Sequence, residues 1–529
     1  MDLDRTLTGG LVVDGTGARA YRADVGIRRG RIEAIGDLAA APTGERVDAR
    51  GRVVCPGFID MHSHSDLSLL LCPTGDSKIH QGVTTEVVGN CGFSPAPLTA
   101  DSADTVRSLH GFFGSFVNDL DWRWRSYGEF AARLGAGGLG LNVAPLVGHV
   151  TVRASVMGYA QRPPSAAELG GMQDLVRSAM RDGCFGLSTG LVYPPGAYAD
   201  TEEVVELARV VGEAGGVYAS HIRGEGHSLL RAVAEAIEIG ERAGAGVQIS
   251  HHKAAFRPYW GRIRHATRLS EWAQERGQDV TFDVYPYTAG SAPLTQIVPD
   301  WAHEGGLGAL VARLRASTSR ARLAREIAEQ GREWDQTLVA WMPAGPGKTD
   351  EGSSIADIAI RRGTDPVETL FALLEESGAR AIMVHFVMSE DDVRHVMRHP
   401  LAMFGSDGWV LTPRGPLAEG KPHPRCYGTY PRILGHYVRE TGVLTLEAAV
   451  HKAAYRPAEK LGLASKGRVQ VGADADLVVF DPATVQDLAT YADPHRFPAG
   501  IEHVLVAGEM TVRDGRHTGA RAGRVLRRP

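Results

Sequence analysis

Several things are scarce in this chain, and each scarcity excludes something. Cysteine comes first: there are five, at 55, 72, 91, 184 and 426, odd in number and widely scattered. That pattern excludes a disulfide framework, so each cysteine is core filler or a ligand. Long apolar runs are absent. Nothing approaches the roughly 18 residues of a membrane span, and Met1 to Gly10 holds no apolar signal core. A cytoplasmic protein with no membrane partner is expected. Charge of one sign is also missing: 57 Lys+Arg against 62 Asp+Glu leaves a net charge of -5. Nucleic acid is therefore not an expected partner. Finally, no lysine stands between Lys78 and Lys253.

What remains is an ordinary globular composition, 43% hydrophobic and 22% charged over 529 residues. Gly is abundant at 64, as many tight βα turns require. Both ends are β-rich. Residues 11–13, 24–27 and 31–36 read as strands, with a hairpin turn at Arg28 to Gly30. Residues 467–469, 476–481 and 503–509 repeat the style. One discontinuous β domain is expected, built from residues 1–54 and 456–529 as a small β-sandwich.

The centre, residues 55–455, alternates short apolar strands with amphipathic helices. Strands are expected at 53–59, 84–92, 141–149, 185–190, 217–221, 247–251, 280–285, 381–384 and 402–407, with helices at 166–182, 201–214 and 229–243. This alternation predicts α/β architecture, a (β/α)8 TIM-like barrel, with a doubly wound sheet as the alternative. Residues 286–350 lack clean strands and are expected to form an inserted, lid-like segment over the barrel mouth. The G-x-G-x-x-G at 135–140 precedes a strand instead of following one, so it reads as a turn.

Ligand-type residues stand at the predicted strand ends. His62 and His64 alternate along one strand and so point the same way. Cys91, His221, His251 and Asp407 end four others. A parallel barrel gathers such ends on its C-terminal face. The set is of zinc type, with two metal positions conceivable. His251 and His252 are adjacent, and only one can face inward; His251 ends the apolar run first. Lys253 then shares its side and can meet a substrate anion. With no lysine available to bridge metals from the middle strands, Cys91 is the candidate bridge, as a thiolate that the metal keeps deprotonated.

These stretches carry a resemblance. PGFIDMHSHSD at 56–66 resembles the metal-dependent amidohydrolase superfamily. VVGNCGFSPAP at 87–97, GLSTGLVYPPG at 186–196, SHIRGEG at 220–226, ISHHK at 249–253, DVYPYTAGSAPL at 283–294, FGSDG at 404–408 and HPRCYGTYPRILG at 423–435 resemble its N-acyl-D-amino-acid deacylase (D-aminoacylase) branch. The resemblance implies a tight Zn2+ on Cys91, His221 and His251. It implies a weaker second position on His62, His64 and Asp407, with Cys91 between the two. It implies Asp407 as catalytic base, and a substrate carboxylate met by Lys253, Tyr285 and Arg425 with Ser291 and Tyr193 nearby. The activity implied is hydrolysis of N-acyl-D-amino acids, small-molecule substrates, and the D preference rests on the resemblance alone. The segment between Asp407 and Arg425 is longer than the family pattern, which bears on acyl and side-chain preference. The alternatives are a cyclic-amide hydrolase of hydantoinase or dihydroorotase type, and an inactive scaffold.

Overall fold

The computed structural model describes residues 2–529. Parallel strands run through the centre of the chain. Phe58–Asp60, Val83–Val88 and Asn142–Pro145 form a three-stranded sheet. Val147–Gly148, Gly186–Gly190, Val217–His221, Gly246–Ile249, Val280–Val284 and Ala402–Phe404 form a six-stranded one. Their residues are buried almost throughout, as strands covered on both faces must be. The sheets meet at both edges. Leu146 N donates to Val88 O at 2.9 Å and Phe185 N to Pro145 O at 2.7 Å. At the other edge Met61 N donates to Phe404 O at 3.2 Å.

The intervening helices follow their sequence signals. Ala166–Arg181 opens on a capping box of Ser165 and Glu168, and Thr201–Glu213 on Asp200, whose carboxylate accepts from Glu203 N at 2.9 Å. Leu229–Ala243 buries Leu229, Ala232, Val233, Ala236 and Ile237, a face of helical period, and ends at Gly244 in the left-handed region.

The two ends of the chain share one nine-stranded sheet. Val53–Pro56 lies in it, parallel to Leu3–Val12 and antiparallel to Leu477–Phe480. The run 53–59 is thus two strands, divided at Gly57. A side chain at Gly57 would stand 2.1 Å from Thr84 Oγ1, so the crossing between sheets needs glycine. Another departure concerns residues 381–384. Ile382–Phe386 is not in the parallel sheets but pairs antiparallel with Ala289–Pro293 and Thr337–Trp341. The insertion therefore has strands of its own, and a separate core with Leu310, Leu323, Ile358 and Phe371. A short apolar run looks alike in either kind of sheet, which is why the pattern misplaced it.

The last residues also leave the terminal sheet. Leu526 N donates to Val143 O at 2.7 Å and Arg528 N to Gly183 O at 3.0 Å. Leu526 packs with Ile59, Val87, Phe185 and Met403. The tail covers the end of the parallel strands opposite the histidines. Among the described residues no helix is long and apolar enough to cross a membrane.

Candidate metal centre

Six side chains from five strand ends converge. His62 and His64 follow Phe58–Asp60, Cys91 follows Val83–Val88, and His221 ends Val217–His221. His251 follows Gly246–Ile249, and Asp407 follows Ala402–Phe404. Cys91 Sγ lies 3.3 Å from His62 Nε2, 3.6 Å from His221 Nδ1 and 3.5 Å from His251 Nε2. Asp407 Oδ1 lies 3.1 Å from His64 Nε2 and 3.6 Å from His62 Nε2. Two donor groups result, His62–His64–Cys91–Asp407 and Cys91–His221–His251, each with its donor atoms within 4.8 Å of one another. Cys91 belongs to both.

This spacing suits a zinc ion. Bond lengths of about 2.3 Å to sulfur and about 2.0 Å to nitrogen, at tetrahedral angles, put the two donors about 3.5 Å apart. Burial alone would push the Cys91 thiol up. The imidazoles of His62 and His251 outweigh it and hold the thiol well below its usual range. A thiolate among imidazoles is a metal-ready donor set.

Three of the six donors have left-handed backbones: Cys91 at φ 53°, His251 at 36° and Asp407 at 51°. Such conformations are uncommon outside glycine and cluster where surroundings impose them. Here the imposing groups are visible. His251 N donates to Asp283 Oδ1 at 2.8 Å, and Asp407 N to His62 O at 2.7 Å. Gly92 N, just past Cys91, donates to Ser188 Oγ at 3.0 Å.

His251, not His252, faces the cysteine. His252 packs on Phe282 with ring centroids 4.9 Å apart, and both its nitrogens lack partners. Burial pushes its pKa down to about 3, so it is a neutral core residue. Lys253 returns to the side of His251: its Nζ is 2.8 Å from His251 Nδ1 and 2.5 Å from Glu225 Oε1.

Arg425 Nη1 lies 2.8 Å from Asp407 Oδ2. Burial would raise the Asp407 carboxyl, but Arg425 and the contact with His64 hold it well below the usual range. Arg425 and Lys253 flank the Tyr285 ring, 4.8 and 5.8 Å from its centroid. Arg425, Ser291 and Tyr193 line one cavity of about 400 Å³ with His64, Cys91 and Asp407, walled by Phe93, Phe113 and Trp409. Lys253 and Tyr285 line a separate cavity of about 270 Å³ with His251, Val284 and Met388. The Ser291 hydroxyl donates to Met383 O at 2.9 Å, so it is already engaged by the insertion. Tyr193 stands edge-on to His221 at 5.0 Å.

Sequence reasoning passed over a supporting layer. Glu225 Oε1 lies 3.1 Å from His251 Nδ1 and 3.7 Å from His221 Nε2. Asp283 Oδ1 lies 3.5 Å from His62 Nδ1. Below Asp407 is a buried ionic group: Lys78 Nζ is 2.7 Å from Asp60 Oδ2, 2.8 Å from Glu86 Oε1 and 2.6 Å from Ser406 Oγ. Asp60 Oδ1 accepts from His62 N at 3.2 Å and from Ser406 N at 2.7 Å. The available signal was an acid inside an otherwise apolar strand, Val280–Val284 for Asp283 and Phe58–Asp60 for Asp60.

The whole chain resembles known proteins. The chain is 40% identical over 525 residues to a D-aminoacylase of Alcaligenes xylosoxydans xylosoxydans, covering 99% of this chain and 98% of that one. It is equally, 40%, identical over 528 residues to an N-acyl-D-glutamate deacylase of the same organism, covering 99% and 97%. The crystal structure of an N-acyl-D-glutamate deacylase from Bordetella bronchiseptica, complexed with zinc and a phosphonate mimic of the tetrahedral intermediate, superposes with a TM-score of 0.84. Its sequence is 37% identical, and all of both chains is covered. Residues 45–512 match the amidohydrolase family, and the chain belongs to that family.

Proposed function

We propose that the protein is a zinc-dependent deacylase that hydrolyses the amide bond of N-acyl-D-amino acids to a carboxylate and a free D-amino acid. The observation that carries this reading is the pair of donor groups sharing Cys91 beside an Arg425–Asp407 ion pair. We assign the tight zinc to Cys91, His221 and His251, and a weaker second position to His62, His64 and Asp407 with Cys91 between them. Zinc, when bound there, lowers the pKa of water and polarises the amide carbonyl.

The chain's own groups do the rest. Asp407 takes a proton from the attacking water and passes it to the departing amine. Arg425 and His64 keep Asp407 ionised, the form that can accept a proton. Arg425 Nη1 lies 2.8 Å from Asp407 Oδ2, and neither Nη1 nor Nε has a hydrogen-bond partner, so donors remain for a substrate carboxylate. Lys253 meets the same carboxylate as a point charge across Tyr285. Tyr193 and Ser291 shape the cavity around the acyl group. Glu225 fixes the orientation of His251 and of Lys253.

We read the parallel strands as a closed (β/α)8 barrel over residues 55–455, because hydrogen bonds link the two sheets at both edges, Met61 N to Phe404 O and Phe185 N to Pro145 O. Residues 1–54 and 456–529 supply the β domain, of sandwich type. A cyclic-amide hydrolase with a bridging lysine is disfavoured, since Lys78 is held by Asp60 and Glu86.

The test is a turnover panel with zinc-loaded protein: N-acetyl-D- against N-acetyl-L-amino acids, with hydantoins as control. The D series should be hydrolysed and hydantoins left intact. Asp407→Asn should abolish turnover while keeping zinc on the Cys91 site. Near wild-type activity in that variant, or a preference for hydantoins, would sink the assignment.

A further inference from the structure

Equal identity to relatives acting on different D-amino acids leaves the substrate side chain open, and the walls of the cavity bear on it. The cavity over Cys91 and Asp407 shares walls with three others, of which the smallest, over Asp66 and His110, is lined by no lysine or arginine. One, about 560 Å³, shares Phe93, Phe112, Tyr193 and Pro293 with it and continues between Tyr159, Val298 and Leu307. The second, about 380 Å³, shares Phe113, Ile382 and Trp409 and continues to Trp341, Leu411 and Leu417. Three of these last walls, Trp409, Leu411 and Leu417, come from the long segment between Asp407 and Arg425. These arms are the two largest spaces open to the acyl group and the amino-acid side chain beside the metal donors.

Among the described residues, neither arm is lined by a lysine or an arginine. Their ionisable groups are Asp300 and His303 in the first and Glu419 in the second. His303 is neutral, its pKa pushed down to about 4 by burial. Glu419 accepts from Ser115 Oγ at 3.0 Å and from Trp341 Nε1 at 2.9 Å. The two cations at the centre, Lys253 and Arg425, flank a single ring, Tyr285. They make a single cationic group around one ring. Arg332 of the insertion stacks over Phe256 at 5.5 Å and lines neither arm.

We propose that this enzyme acts on N-acyl-D-amino acids with neutral, chiefly apolar side chains and discriminates against acyl-D-glutamate and acyl-D-aspartate. The inference rests on the deacylase reading above. The α-carboxylate takes the Lys253–Arg425 group. A second carboxylate then enters an aromatic arm with no countercharge, near Asp300 or Glu419, and loses its water uncompensated. The conclusion holds whichever arm receives the side chain, because both lack a cation.

The experiment compares kcat/KM of the zinc-loaded full chain for N-acetyl-D-methionine, N-acetyl-D-glutamine and N-acetyl-D-glutamate near neutral pH. Methionine should exceed glutamate by at least about 100-fold, in line with an unpaired buried charge. Glutamine matches glutamate in shape but not in charge, and should exceed it by at least about tenfold. Glutamate equal to or better than glutamine would overturn this inference and leave the deacylase reading standing. No turnover of any of the three would overturn the deacylase reading and the inference with it.

Discussion

Lys78→Met should weaken both the fold and the metal centre. The Lys78 ammonium is fully buried between Asp60 at 2.7 Å and Glu86 at 2.8 Å. Removing one partner of a buried ion pair costs about 3–5 kcal/mol, because the other charge stays buried unpaired. Here two carboxylates would be stranded. Burial already raises the Glu86 carboxyl, so Glu86 would take up a proton and hold the loss near the lower figure. At about 2.1 cal/mol/K per residue, 529 residues have an unfolding entropy of about 1.1 kcal/mol/K, so cooperative melting would fall by about 3 °C. Asp60 also anchors the backbone at His62 and Ser406, so its release should move His62 relative to Asp407. Misplacement on that scale lowers kcat/KM at least about tenfold. The assay is melting of zinc-loaded protein beside steady-state kinetics. Adding Glu86→Gln should move the melting temperature by no more than about 1 °C, since the protonated Glu86 of the single variant is already neutral. A single variant within about 1 °C of wild type and fully active, or a double variant further than that from the single, would refute the reasoning.

Three further outcomes follow from the same geometry. Cys91→Ala should lose most bound zinc by metal analysis, since Cys91 belongs to both donor groups; full occupancy would contradict its role. Glu225→Gln should weaken zinc about 10–100-fold in competition with a chromogenic chelator, and unchanged affinity would remove Glu225 from the supporting layer. Lys452 is buried against the carbonyls of His399 and Ala402, and burial pushes its pKa down to about 8. The unfolded lysine, near 10.4, binds more protons between those values, so wild-type stability rises with pH across that window, by up to about 3 kcal/mol. The melting temperature of wild type minus that of Lys452→Met should therefore grow from pH 7.5 to 10, and a constant gap would count against a strained lysine.

The six metal-type residues were legible because each ends an apolar strand, and a parallel sheet carries its strand ends to one face. The choice of His251 over His252 was legible for the same reason. The insertion was not. Ile382–Phe386 is apolar and short, like any parallel strand, and only its antiparallel partners at 289–293 and 337–341 distinguish it. The break at Gly57 was also hidden, since the approach of Thr84 that demands it comes from another strand. Nor does any local pattern reveal that Leu526, near the end of the chain, packs among strands begun at residue 58.

The residues that sequence reasoning missed are mostly those that hold the three left-handed donors. A left-handed cysteine, histidine or aspartate costs about 1–3 kcal/mol and persists only if its neighbours over-determine it. Asp283 receives the amide of His251, Ser188 that of Gly92 beyond Cys91, and Asp60 with Ser406 fixes the turn at Asp407. Each is a buried polar group bonded to backbone, not to substrate or metal. In sequence such residues carry at most the mark of a polar group in an apolar strand, because what they bond is a conformation. A motif can therefore name the donors of this site, but the geometry that points them at one another rests on carboxylates and hydroxyls whose role appears only in the folded chain.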